Sequence, residues 1–249
     1  MAKFTSNYEV EGSLLNQTYY KKGGKIFIKR KSGVNKEKIL TDPAFDRTRE
    51  NGAEFGSSAR SGKLLRYAFS PLLKNTADKL VVSRLTQTMT KVKNLDTTSI
   101  RGMRNVANGI TNPLCRPLFI DFNFNRNAIL KSILRKPYTV DTGTGEIDIP
   151  GFTPIVDITI PEGATNLALT GALGSVDFSG GTYEVYYSKE VNLPYDGTVT
   201  DVSLVPSSVP VLKGAKFYLL HIAYFQQVNG VQYPLNNGAY NSLAIVELV

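Results

Sequence analysis

Residues 215–228, AKFYLLHIAYFQQV, alternate along two faces, with Phe217, Leu219, His221, Ala223 and Phe225 on one and Tyr218, Leu220, Ile222 and Tyr224 on the other. The run reads as a β-strand. It is followed by Asn229-Gly230, a dipeptide that suits the type I′ turn of a tight hairpin. Similar short β-rich runs precede and follow it: YTVDTGTGEIDIP (138–150), PIVDITIP (154–161), TNLALTGAL (165–173), TYEVYYS (182–188), TVTDVSLV (198–205) and YNSLAIVELV (240–249). Gly, Pro, Asn and Asp punctuate them, and Thr142-Gly143 marks a second hairpin turn. This spacing predicts an all-β sandwich, immunoglobulin-like or jelly-roll-like, over 138–249.

Upstream the pattern changes. TYYKKGGKIFIKR (18–30) reads as a β-hairpin turning at Gly23-Gly24. Asp42 is placed to cap a helix that begins at Pro43, with Asp46 and Glu50 near the favourable end of its dipole, and Ser70-Pro71 breaks it. Gly52, Gly56 and Ala59 put small residues on one face of that helix, which suggests close packing there. Further helices are expected over 77–92 and 99–108, a strand over 117–125, and one or two helical turns over 128–134. Residues 1–137 therefore form an α+β region, and the chain divides into domains 1–137 and 138–249.

Charge divides at the same place. Residues 1–136 carry 26 Lys and Arg against 10 Asp and Glu, whereas 137–249 carry 3 against 11, within a net charge of +8. Segregation of this kind gives two surfaces of opposite potential, one suited to polyanions and the other to basic partners.

Enzymatic equipment is sparse. His221 is the single histidine and Cys115 the single cysteine. A half-buried strand residue and a buried, inert thiol are the expected roles, and ordinary Cys/His zinc sites are excluded within one chain. Carboxylates at Asp141, Glu146, Asp148 and Asp157 fall at regular polar positions of strands and turns. Neither TGTGEIDIPG nor GALGSVDFSGG has the spacing of a nucleotide-binding loop. The sequence thus offers no catalytic residue, no metal site and no cofactor.

The positive signal is a basic surface. Lys21, Lys22, Lys25, Lys29, Arg30 and Lys31 on the hairpin, with Arg47, Arg60, Lys63 and Arg66 on the next helix, are the candidate polyanion- or partner-binding residues, and Tyr19, Tyr20 and Phe27 the candidates for base stacking. A competing reading stays open: the aromatics pack the hairpin onto the helices, and the arginines pair with Asp46, Glu50 and Glu54 or with an acidic neighbouring subunit. The leading expectation is a non-enzymatic assembly subunit that multimerises through unlike-charged surfaces, as a homo-oligomer or multi-subunit assembly such as a phage-like particle, tube or filament. DNA or RNA binding is the first alternative. A glycan-binding sandwich using Tyr183, Tyr186 and Tyr187 is the second. No run reaches the length of a membrane span and MAKFTSNYEVEGS has no apolar signal core, so synthesis in the cytoplasm is expected, with the product possible in a released particle.

The segment 21–66, KKGGKIFIKRKSGVNKEKILTDPAFDRTRENGAEFGSSARSGKLLR, resembles the N-terminal signature of a family of uncharacterised bacterial proteins. The signature is a glycine-turn basic hairpin, a DPAF-x-RTREN-x-x-EFG block and AGKLLR, matched at Asp42–Gly56 and Ser61–Arg66. VNGVQYPLNNGAYNSLAIV (228–246) is similar to the ends of such proteins. The resemblance implies no particular activity.

Overall fold

The structure, a computed structural model, describes residues 11–30, 33–74, 76 and 78–249, except the side chains of Asn236 and Asn237. By packing, the chain forms two compact units, Met1–Arg49 and Glu50–Val249. The boundary expected from charge, at 137/138, is a change of composition across which packing continues: one apolar core joins Leu65, Leu85 and Phe119 to Phe217, Leu243 and Ile245.

The first unit holds an antiparallel meander of β1 (Gly12–Leu14), β2 (Gln17–Lys22) and β3 (Lys25–Arg30). Gly23 and Gly24 turn the predicted hairpin at φ of 59° and 74°, values that suit glycine at both centres of a type I′ turn. Helix α1 (Lys36–Thr41) follows, capped by Asn35, whose side chain accepts from the Lys38 N–H. Asp42 accepts from Ala44 N–H, but what it caps is a 3-10 turn, Pro43–Phe45. The long helix α2 starts only at Asp46 and runs to Ala68 (Asp46–Ala68). Not one described residue of 11–49 is fully buried.

The second unit continues through α3 (Ser70–Leu73), α4 (Val81–Lys93), α5 (Val106–Gly109), α6 (Arg116–Phe119) and α7 (Leu130–Ile133). It then enters β4 (Thr139–Val140), β5 (Ile147–Phe152), α8 (Pro154–Asp157), β6 (Asn166–Asp177), β7 (Thr182–Tyr187), β8 (Val191–Pro194), β9 (Thr200–Leu204), β10 (Ala215–Val228), β11 (Val231–Pro234) and β12 (Ser242–Leu248). The C-terminal half is the expected β-sandwich. Its larger, curled sheet has β10 at the centre, paired to β6 on one side and to β12 and β11 on the other, with β7 and β8 beyond β6. The smaller sheet is β4-β5-β9, and all pairings are antiparallel.

Strand alternation explains the layering. Tyr218, Leu220, Ile222 and Tyr224 of β10, with Leu167, Leu169 and Leu173 of β6, pack onto Ile147, Ile149, Val202 and Leu204 of the small sheet. The opposite face, including Phe217, Leu219, Ala172 and Val176, is covered by α2, α4 and the loops that follow. Burial on both faces is why β6 and β10 read as continuous apolar runs. Gly174 admits the Phe69 ring against the sheet, since a Cβ there would lie 2.6 Å from Phe69 Cζ. The α2/α4 seam closes at Gly62, where a Cβ would lie 3.6 Å from Leu85 Cγ and from Met89 Cγ.

Several local expectations give way. The helix expected over 77–92 begins at Val81, where Asp78 accepts the Leu80 N–H. Of 99–108 only the last turn is helical, because Asp96 captures the backbone N–H groups of Thr98, Ser99 and Asn105 and holds the segment as loop. Residues 117–125 begin as α6, and of the rest only Asn123 makes a β-bridge, to Ala244 of β12, flanked by bonds from Asp121 N–H to Ile245 O and Phe124 N–H to Leu243 O. PIVD (154–157) is a single Pro-started helical turn. The close packing expected at Gly52 and Gly56 is absent: nothing lies within 4 Å of a Cβ at Gly52, and only the Arg60 side chain approaches one at Gly56.

Candidate assembly and polyanion-binding surfaces

The register of β2 and β3, Tyr20↔Phe27 and Lys22↔Lys25, places Tyr20, Phe27, Lys22, Lys25 and Lys29 on one face of the meander. Tyr20 and Phe27 stack at 5.7 Å between centroids, and Lys29 Nζ sits 5.6 Å from the Tyr20 ring centre. Tyr19, Lys21 and Arg30 belong to the other face with Ile26 and Ile28, and the Tyr19 hydroxyl donates to Gln17. Lys31 lies outside the described residues. The candidates are thus divided: the eight described cation and ring positions on the hairpin do not share one face, Arg47 lies in the first turn of α2 in the first unit, and Arg60, Lys63 and Arg66 belong to the second unit. Lys63 Nζ lies 5.1 Å from the Tyr67 ring, and the Arg66 Nε is buried without a hydrogen-bond partner among the described residues.

Charged side chains of the 42–56 block are held by specific partners. Arg49 donates to the carbonyls of Ile39 (2.6 Å) and Asp42 (3.0 Å) and pairs with Asp46. Glu50 pairs with Arg101 at 2.7 Å. Glu54, 2% exposed, accepts from Gly102 N–H (2.8 Å), Arg104 Nε and Nη2 (2.9 Å each) and Lys93 Nζ (2.5 Å). The Arg104 guanidinium, outweighing the penalty of burial, and then Lys93 hold the Glu54 carboxyl down at about 2. Gly102 is required at this site twice over: its φ is 90°, and a Cβ would lie 2.8 Å from Glu50 Cγ. Pairing of Glu50 and Glu54 with arginines was one of the open alternatives, but Arg101, Arg104 and Lys93 supply the charge, and none of these was among the candidates. With every oxygen of Glu54 engaged, this cluster is a clamp joining α2, α4 and the 96–105 loop.

Charge on the rest of the body sorts by layer. The helical layer exposes Arg60, Lys63, Lys79 and Lys91, none of which enters an ion pair among the described residues. Between α2 and α4 an open groove of about 760 Å³ is lined by Phe55, Ala59, Val82, Thr86 and Thr90, with Lys79 and Lys91 and no carboxylate. The Thr86 and Thr90 hydroxyls donate back to the carbonyls of Val82 and Thr86, which leaves methyl groups for the groove. Across the molecule, the inward residues of the small sheet are Ile147, Ile149, Val202 and Leu204, so Asp148, Asp201 and Ser203 fall on its solvent side, where Glu146 accepts from the Ser203 hydroxyl. None of its three strands contains Lys or Arg; Lys136 reaches it only at one end, donating to Gly151 O.

The remaining candidates are accounted for singly. Cys115 is buried, donates to Ile110 O at 3.0 Å, and burial raises its pKa. His221 is buried rather than half-buried. Asp141 closes its own turn through Gly143 N–H, and Asp157 accepts from Thr153 N–H. Tyr183 and Tyr187 pair with Val176 and Ala172 on the helix side of the sheet and Tyr186 with Leu173 on the other, so the three tyrosines do not line one site. Among the described residues, no group of three or more His, Cys, Asp or Glu side chains is arranged to hold a metal ion, and no helix is long and apolar enough to cross a membrane. In comparisons with family models, curated proteins and solved structures, nothing matches the chain.

Proposed function

We propose that the protein is a non-enzymatic assembly subunit whose copies associate head to tail, the cationic helical layer of one against the anionic small sheet of the next. The observation that carries this reading is that the two outer layers of the body, on opposite faces of one sheet, expose side chains of opposite sign. Unlike surfaces on opposite faces make a heterologous contact, which closes into a ring or propagates as a tube or filament. The apolar groove between α2 and α4 adds non-polar contact area where the cations lie. Light scattering coupled to size exclusion tests it: multimers at low salt that dissociate as salt rises are expected, and a monomer at every salt concentration rejects it.

A second reading rests on a separate observation, the Tyr20–Phe27 stack flanked by Lys22, Lys25 and Lys29 on one face of the meander. Rings with interleaved lysines suit single-stranded nucleic acid, the bases stacking while the lysines displace counterions from phosphates. Retention of a labelled oligonucleotide at low salt, weakened by Tyr20→Ala, is its signature. No gel shift at low salt removes it.

A further inference from the structure

We propose that the cavity beside His221 is a binding site for a neutral hydroxylated ring, a single hexose unit. The cavity, about 340 Å³, lies on the helix side of the central sheet, with Leu72, Ala223, Phe225 and Pro234 among its walls. That volume is at the low end of small-molecule pockets and far above that of one water. His221 and Thr170 face each other across β10 and β6, and both line it.

The polar groups are unspent. His221 is 3% exposed, and its Nε2 has no hydrogen-bond partner among the described residues. The Thr170 hydroxyl likewise makes no hydrogen bond among them. Nε2 is closed off from the open space of the cavity, so a ligand hydroxyl reaches it through a turn of the imidazole ring, which the unmet hydrogen bond favours.

The chemistry of the occupant follows from the charge state. Burial pushes the His221 pKa down to about 4, so at neutral pH the imidazole is uncharged and offers one donor and one acceptor, the complement of a hydroxyl group rather than of an anion. Thr170 offers the same pair. The exposed Glu190 and Lys74 also line the cavity, adding an acceptor and a donor for further hydroxyls. Apolar walls suit the C–H faces of a pyranose.

The chain's sole histidine makes the test direct, because one set of imidazole signals in a long-range 1H–15N spectrum reports the site alone. The probes are glucose, galactose, mannose and N-acetylglucosamine, each added to millimolar concentration, with glycine and alanine as zwitterionic controls. Expected is a saturable displacement of the Nε2 signal by at least one sugar, with affinity reduced about tenfold or more in Thr170→Val, read through the same histidine, and in His221→Phe, read by calorimetry. No displacement by any of the four sugars, displacement by the amino acids alone, or undiminished sugar affinity in Thr170→Val each overturns the proposal.

Discussion

Glu54 Oε2 lies 2.5 Å from Lys93 Nζ, and the two side chains, from α2 and α4, are both withdrawn from water. Removing one partner of a buried pair leaves the other uncompensated, which costs about 3–5 kcal/mol. Glu54→Leu should therefore lower stability by about that amount in urea unfolding. Adding Lys93→Met should recover part of the loss, since Arg104 is partly exposed and can turn to solvent.

The same carboxylate fixes an acid limit. Its folded pKa, about 2, lies below the 4.5 of an ordinary glutamate, so its stabilisation is complete above pH 4.5 and is lost as pH falls toward 2. The midpoint of acid unfolding should move to higher pH in Glu54→Gln, measured by circular dichroism.

His221 acts in a higher window. A histidine whose folded pKa is about 4 rather than 6.5 takes up its proton more readily when unfolded, so stability is full above pH 6.5 and declines as pH falls to 4. The decline should reach roughly 3 kcal/mol. His221→Phe should flatten the stability profile between those two pH values.

Glycine substitutions separate the α4/α5 contact from the free face of α2. A Cβ at Gly109 would lie 2.1 Å from Val92 O, so Gly109→Ala should destabilise by about 3 kcal/mol. Gly52→Ala meets nothing and should stabilise by up to about 1 kcal/mol. Thermal melts of the two variants should shift in opposite directions.

Assembly through unlike layers makes a mixing prediction. Lys79→Glu with Lys91→Glu disables one face, and Asp148→Lys with Asp201→Lys disables the other. Each double variant alone should be monomeric at low salt, while an equimolar mixture should restore multimers, because the unchanged faces match at one contact and the charge-reversed faces match at the next. Multimers in either variant alone would contradict the contact.

The strands were legible because two-residue alternation and the Asn229-Gly230 and Gly23-Gly24 turns are local signals; Asn229 and Gly230 do take positive φ, 52° and 81°. β8 escaped notice, since EVNLP carries no strong alternation. Helix 99–108 was misread because Asp96 rewards the loop through bonds that periodicity cannot register. The clamp at Glu54 was hidden for a related reason: its partners stand 39 and 50 positions away in sequence, so only the carboxylate and a surplus of cations were visible. The candidate cations were found as residue types, but their division between two faces of the meander and two units is a matter of register and packing.

The placement of β10 and β12 against the helical layer constrains the order in which the protein matures during synthesis. Helices α2 and α4 leave the ribosome more than a hundred residues before Phe217, Leu219, Leu243 and Ile245, on which their apolar sides rest. Until those strands emerge, the nascent helices can bury only the sides they turn to each other and to the segments already made. The body should then close late and in one step, through contacts of high sequence separation that fold slowly, and a nascent chain stalled ahead of β10 should be sensitive to protease and held by chaperones.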